Sequence, residues 1–235
     1  MLCKIADLIV EVPDAGGLAP RCREYLYEGP EKPEIIIKSE QFNPNRWPGA
    51  SYEALCYMDS GTNFYGNLLR FHGMMLHASA VAKDGRAYLF SAPPGTGKST
   101  HTRLWQAVYG EAAQVFNDDK PAMRLLDGIW YAYGTPWCGK DGINQNKKVP
   151  LAGICYLKRG TENKIRRLTP QEAMKRIVSQ TMRKFSLVEN LDLMLSHVDE
   201  LVRMVPVYEL ECLPNEDAAR LSCETMCSGA EEKGL

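Results

Sequence analysis

Tyr88-Leu89-Phe90-Ser91-Ala92-Pro93-Pro94-Gly95-Thr96-Gly97-Lys98-Ser99-Thr100 is the stretch on which the reading of this chain turns. An apolar run leads into a Pro/Gly turn, and Lys98-Ser99 opens a segment, Ser99–Val108, that can continue as a helix. The order is that of G-x-x-x-x-G-K-[ST], with Ala92 at the first glycine position, where alanine still allows a tight strand-to-loop turn. Gly95 and Gly97 let main-chain N–H groups turn inward around phosphate oxygens. A helix starting near Lys98 adds the positive end of its dipole. The Lys98 ammonium can reach β- and γ-phosphates, and the Ser99 hydroxyl suits Mg²⁺. The expected phosphate cradle is therefore Pro94, Gly95, Thr96, Gly97, Lys98, Ser99 and Thr100. A chance Gly/Pro turn before a lysine would not also carry the right strand and helix on its flanks.

Downstream comes Ala113-Gln114-Val115-Phe116-Asn117-Asp118-Asp119-Lys120, a short apolar strand ending in acids. Two adjacent carboxylates at a strand end can divide the labour, one holding a metal and the other accepting a proton from an incoming hydroxyl. Asn-Asp-Asp is also ordinary turn chemistry; with the loop upstream, a site role for Asp118 and Asp119 is favoured. His77 lies just before the loop's own hairpin, although a lone histidine is more often a hydrogen-bonded structural residue. Gly134-Thr135-Pro136-Trp137-Cys138-Gly139-Lys140, continued by Asn144–Lys148, reads either as a mobile loop that binds an anion or as an ordinary solvated one. Lys140 and Lys148 are its candidate cations, and Trp137 either covers a nucleotide or plugs the core.

The rest of the chain supplies the scaffold. Leu76–Val81 and Ala87–Phe90 flank Asp84-Gly85, and Ala122–Leu126 and Ile129–Tyr133 flank Asp127-Gly128. Asp-Gly between β-like runs predicts a hairpin, because both turn positions must tolerate positive φ. Further strands are expected at Leu8–Val12, Glu34–Lys38, Ala152–Leu157 and Val207–Leu210, and a loop at Asn43–Tyr52. Helical spacing predicts helices over Tyr65–Met75, over Ala173 to Phe185 (through Ile177, Val178 and Met182) and over Leu191 to Val202. A last helix should start at Asn215 as N-cap and run through Ala218 and Leu221. Hairpins among βα units indicate an α/β fold with a mixed rather than purely parallel sheet. The division expected is a small β-containing annex at residues 1–70 and a main domain at 71–235, with helices in its C-terminal part.

Charge and composition exclude several classes. The 235 residues hold 28 Lys and Arg against 29 Asp and Glu, so no overall field draws nucleic acid or an anionic membrane. Hydrophobic residues make up 45%, enough for a packed core. No apolar run reaches the roughly 18–20 residues of a spanning helix, and the start lacks the pattern of a signal peptide. Eight scattered cysteines without a C-x-x-C pair suit a reducing compartment. A cytoplasmic location is expected.

Taken together, Leu76-His77-Ala78-Ser79-Ala80-Val81, a hairpin, the glycine loop and Asn117-Asp118-Asp119 resemble the catalytic, C-terminal domain of HPr kinase/phosphorylase. The Gly134-Thr135-Pro136-Trp137 segment is similar to that of stand-alone HPr-kinase-related proteins, and the nucleotide fold is shared with ATP-dependent phosphoenolpyruvate carboxykinase. The resemblance spans about residues 70–160. It implies an ATP- and Mg²⁺-dependent phosphotransferase with Lys98 on the phosphates, Ser99 and Asp119 on the metal, Asp118 as base near the acceptor hydroxyl, and His77 beside the phosphate site. The family's N-terminal domain is not recognisable in residues 1–70, and Gly134–Lys140 occupies the place of its glycine-rich signature with different residues. The acceptor stays open between a protein or peptide serine and a small alcohol, and a homo-oligomer stays open as well. Two rival readings remain: a nucleotide-responsive binding protein without kinase activity, and a carboxykinase-like enzyme, for which the substrate-binding arginine cluster is missing.

Overall fold

The computed structural model describes residues 1–38, 45, 48–181 and 188–231. The chain opens on a hairpin of β1 (Leu2–Ile5) and β2 (Leu8–Glu11). Its turn residues, Ala6 and Asp7, have φ of 52° and 61°, the left-handed pair of a tight hairpin made here without glycine. After α1 (Leu18–Cys22), β3 (Ile35–Ile36) adds parallel to β2 and completes a small three-stranded sheet. The expected strand at Glu34–Lys38 is thus only two residues long. Of the loop expected at Asn43–Tyr52, residues 43, 44, 46 and 47 lie outside the described residues.

The helix expected from Tyr65 begins much earlier. α2 spans Tyr52–Leu68, with the Ser51 side chain accepting from the Ala54 N–H at 3.2 Å as an N-cap. Its middle is rich in Ser, Thr, Asn and Gly, which blurs the apolar stripe. Thr62 and Asn63 return their hydrogen bonds to carbonyls one turn back, so polarity and helix coexist. A single 3₁₀ turn and left-handed His72 end the segment, and β4 (Gly73–Met75) follows.

Next come β5 (Ala78–Lys83), β6 (Arg86–Ser91), α3 (Lys98–Tyr109), β7 (Ala113–Asp119), β8 (Ala122–Leu126) and β9 (Ile129–Tyr133). Asp84-Gly85 and Asp127-Gly128 make the two predicted turns, all four residues at positive φ. β10 (Lys148–Arg159) is twice the expected length, because its two halves serve different partners. β11 (Lys164–Arg167), α4 (Pro170–Gln180), α5 (Val188–Met204), β12 (Val207–Cys212) and α6 (Glu216–Glu231) complete the order. Thr169 and Glu172 close a capping box on α4, and Asn215 caps α6 by accepting from the Ala218 N–H at 3.1 Å. Met182 and Phe185, expected on the α4 face, lie outside the described residues.

The main sheet is mixed and curled, in the order β4-β8-β9-β10-β6-β5-β7. β10 runs antiparallel to β9 at Lys148–Pro150, then parallel to β6 and to β12 towards Arg159. Alternation sorts its side chains into two layers. Ala80, Leu89, Ile154 and Tyr156 pack under α4 and α5, while Val81, Phe90, Cys155 and Leu157 pack under α3 and α6. A third apolar cluster joins the β1–β3 sheet and α2 to Ala122, Tyr133 and Trp137. Among the described residues no helix is long and apolar enough to cross a membrane.

Trp137 is fully buried, stacked on Phe64 with ring centres 4.7 Å apart, and its indole N–H donates to Ser60 Oγ at 3.0 Å. It plugs the core and does not face a nucleotide. Trp137→Ala should therefore cost about 3–5 kcal/mol, read as a lowered urea midpoint at unchanged slope.

Candidate functional site

β5 lies antiparallel to both β6 and β7, so those two strands end at the same edge of the sheet. In one row Ala78 pairs with Ser91 on one side and Asp119 on the other. The exit of β6, the start of β5 and the end of β7 therefore meet, which brings the glycine loop, His77 and both aspartates together. This is also the edge where α/β sheets hold ligands, at the carboxyl ends of their strands.

The loop has the conformation its glycines permit. Gly95 and Gly97 have φ of 75° and 118°, and α3 starts at Lys98 directly behind them. Among the described residues, nothing beyond the chain neighbours lies within 4 Å of a Cβ built on Gly95, so backbone freedom and not crowding requires glycine there. Lys98 Nζ donates to the Ala92 carbonyl at 3.2 Å, folded back over the loop. Burial lowers its pKa, with Asp119 and Asp118 acting in the opposite sense. Behind the loop α3 is pinned to the sheet and to α6: Thr102 meets Ser79 at 2.8 Å, and the Trp105 indole donates to Ser222 Oγ at 2.9 Å.

A β-bulge aims the aspartates. Ala80 pairs with Asn117 but Val81 with Val115, which leaves Phe116 as the extra residue in β7. From there Asp118 pairs with Ser79 and shares its α3 side, while Asp119 pairs with Ala78 and takes the other face. Ser99 Oγ accordingly reaches the Asp118 carboxylate, 2.8 Å and 3.0 Å from its two oxygens. The resemblance implied Ser99 with Asp119 on a metal; the side chains in contact are Ser99 and Asp118.

Asp119 has a separate circle of partners. Its carboxylate lies 3.0 Å from His77 Nε2 and 2.7 Å from Lys120 Nζ. Burial pushes its pKa up, but hydrogen bonds from His77 and Lys120, with their charges, hold it well below the usual carboxylate range. Its φ of 101° is rare for a non-glycine residue and is held from outside. Tyr65 and Thr135 both donate to the next carbonyl, that of Lys120, at 2.5 Å and 2.9 Å, and Asp119 bridges to Cys138. His77 Nδ1 lies 3.3 Å from Gln180 Oε1 at the end of α4.

Distant segments complete this side. Lys120 donates to the Tyr57 hydroxyl at 2.8 Å and sits 4.5 Å over that ring, and Arg21 lies 5.0 Å over the same ring. Arg21 and Tyr57 belong to the N-terminal third and escape sequence reading, since nothing near them signals a site. The Gly134–Lys140 segment is not a solvated loop in its first half: Thr135, Trp137 and Cys138 are buried, and the Gly139 N–H donates to the Asp118 carbonyl at 2.7 Å. Lys140 is exposed beyond it. Lys148 does not join the site. It pairs with Asp7 at 2.7 Å, at the opposite end of β10.

Fold and site together define a mixed α/β protein in which a glycine loop between a strand and a helix faces a pair of aspartates from the next-but-one strand. The chain belongs to the ScmC family: the family model described as SynChlorMet cassette protein ScmC matches residues 50–214. No curated protein matches the sequence. Among solved structures, the HPr(Ser) kinase/phosphatase from Coxiella burnetii is similar at 12% identity and a TM-score of 0.36, over 67% of this chain and 95% of that one.

His101, on α3 behind the loop, is 3% exposed and lies 3.0 Å from Ser222 Oγ. Burial lowers its pKa from 6.5 to about 4. Between these values the unfolded chain binds the extra proton and the folded one does not, so stability rises with pH across that window. The term is fully present above the unfolded value and lost as pH falls, about 3 kcal/mol in all. Urea unfolding at pH 7 and pH 4.5 should show this loss in the native chain and a smaller one in His101→Gln.

Proposed function

We propose that this protein is an ATP- and Mg²⁺-dependent phosphotransferase acting on a hydroxyl acceptor. The contact of Ser99 with Asp118 across the glycine loop carries the reading. It sets two hard oxygen donors side by side where the phosphates of a nucleotide held by the loop would end, a donor set suited to Mg²⁺. Ser99 and Asp118 would hold Mg²⁺ there, and the ion would supply positive charge against that developing on the transferring group.

The protein's own part is positioning and electrostatics. The main-chain N–H groups of Gly95–Ser99 cradle the phosphates, and Lys98 swings from the Ala92 carbonyl to the β- and γ-oxygens. The acceptor oxygen bonds to the γ-phosphorus as the bond to the β,γ-bridging oxygen breaks, and ADP leaves. The resemblance gave the proton to Asp118. Its contact with Ser99 favours the metal side for Asp118 and leaves the hydroxyl proton to Nδ1 of His77, which would part from Gln180 while Asp119 holds Nε2–H. Lys120, Arg21 and Tyr57 frame the acceptor's side and favour an acceptor carrying negative charge of its own.

Incubation with γ-labelled ATP, Mg²⁺ and cell extract should transfer label to an acceptor. Lys98→Ala should abolish transfer. Asp118→Asn should lose the response to Mg²⁺, and His77→Ala should slow transfer about 10²–10⁴-fold while ATP affinity stays within twofold. ATP binding without any labelled product would instead favour the nucleotide-responsive binding protein, and an active Lys98→Ala variant would sink the assignment of the loop.

A further inference from the structure

Beside the glycine loop, on the α3 and α6 side of the sheet, lies a cleft of about 430 Å³. Gly95, Thr96, Gly97 and Thr100 form its mouth. From there it runs along α3 past His101 to Leu104, with the end of β10 and the Cys212–Pro214 connection opposite. Gly97 to Leu104 is seven residues of helix, about 10 Å, the reach of a ribose and a base beyond the α-phosphate. The volume lies within the range typical of small-ligand pockets.

The lining changes character with distance from the loop. The near end is made of main-chain N–H groups and threonines. The far end is apolar, made by Leu104, Leu157, Leu213 and Pro214. Leu213 is 37% exposed, one of the few large apolar side chains left open to solvent among the described residues. Among the described residues no carboxylate lines the cleft; its charged residues are Lys158 and Arg159. Arg159 donates to the Gly95 carbonyl and so ties the cleft wall to the loop. A polyanionic neck joined to a flat, neutral, apolar body matches this gradient.

We infer that this cleft holds the nucleoside of the triphosphate whose phosphates lie in the glycine loop, and that it prefers adenine to guanine. The inference rests on the phosphate-binding role proposed above. The base packs between Leu104 on α3 and Leu213 and Pro214 opposite. Its polar edge meets main-chain groups of the β10 and β12 ends. Guanine presents two adjacent donors, at N1 and N2, that a carboxylate would satisfy together, and none is there to do so. Leaving one donor unpaired in an apolar cleft favours adenine by roughly tenfold.

Calorimetry with Mg²⁺ and three probes, ATP, GTP and inorganic tripolyphosphate, separates the two levels of the argument. The native chain should bind ATP about tenfold more tightly than GTP and more tightly than tripolyphosphate. Leu104→Trp, which fills the cleft from α3, should weaken ATP at least about tenfold and leave tripolyphosphate within twofold. Leu213→Ser, at an exposed position that endangers no core packing, should weaken ATP about threefold and keep the test open if the tryptophan variant fails to fold. Equal affinity for ATP and tripolyphosphate, or ATP binding untouched by both substitutions, would overturn the nucleoside cleft while leaving the loop intact. GTP binding as tight as ATP would overturn the base preference. Binding of neither ATP nor tripolyphosphate would instead remove the phosphate-loop reading, and the cleft with it.

Discussion

One extra residue in one strand governs the arrangement of the site. Side chains alternate along a strand, so adjacent aspartates must face opposite sides of a sheet. Which aspartate takes which side depends on the register behind them. The bulge at Phe116 sets that register between β5 and β7 and turns Asp118 towards the helix that follows the glycine loop. Without the extra residue, Asp119 would take the α3 side and Asp118 the side of His77. Ser99, Asp118, His77 and Asp119 thus owe their pairing to an irregularity at Phe116, two residues before the first aspartate.

The far side of the site is fixed by a different means. Asp119 has left-handed backbone geometry, a conformation that costs free energy in any residue with a side chain. The compensation comes from groups remote in sequence: Tyr65 and Thr135 on the Lys120 carbonyl, and Cys138 bridged to Asp119 itself. The same clamp places Lys120 over Tyr57, and Tyr57 beneath Arg21. Two cations thus pack against one aromatic ring, and one of them, Lys120, pairs with the Asp119 carboxylate. Trp137 connects this clamp to the core, since it stacks on Phe64, the residue beside Tyr65.

The parts of the fold legible in the sequence share one property: their determinants are local. Asp84-Gly85 and Asp127-Gly128 carry their turn geometry in two residues, Asn215 marks a helix start by its own side chain, and Tyr88–Ser99 carries a strand, a turn and a helix start together. What escaped depends on tertiary context. The Ala6-Asp7 turn takes positive φ without glycine because pairing of Leu2–Ile5 with Leu8–Glu11 imposes it. α2 begins at Tyr52 although its apolar pattern sharpens only near Tyr65, since its polar middle bonds to its own backbone. The double length of β10 answers to three neighbouring strands. Within the site, Asp118, Asp119, His77 and Lys98 were legible as residues, but their partners were not. Pairing of Ser99 with Asp118 needs the bulge, and the approach of Arg21 needs the N-terminal region to fold against α2 and β9.

On the proposed function, the two faces of the sheet take different halves of the reaction. The nucleoside lies on the α3 and α6 side, where the far end of the cleft is apolar and, among the described residues, no carboxylate lines it. On that reading the acceptor comes from the α4 side, where His77 rests against Gln180 and Lys120 pairs with Asp119. The loop from Ala92 to Gly97 lies at the edge between them and presents the γ-phosphate to both. Such a division lets each face be shaped by its own ligand. The α3 side needs only a neutral slot with an exposed apolar lip at Leu213, whereas the α4 side must hold a histidine, a lysine and a carboxylate in fixed relation.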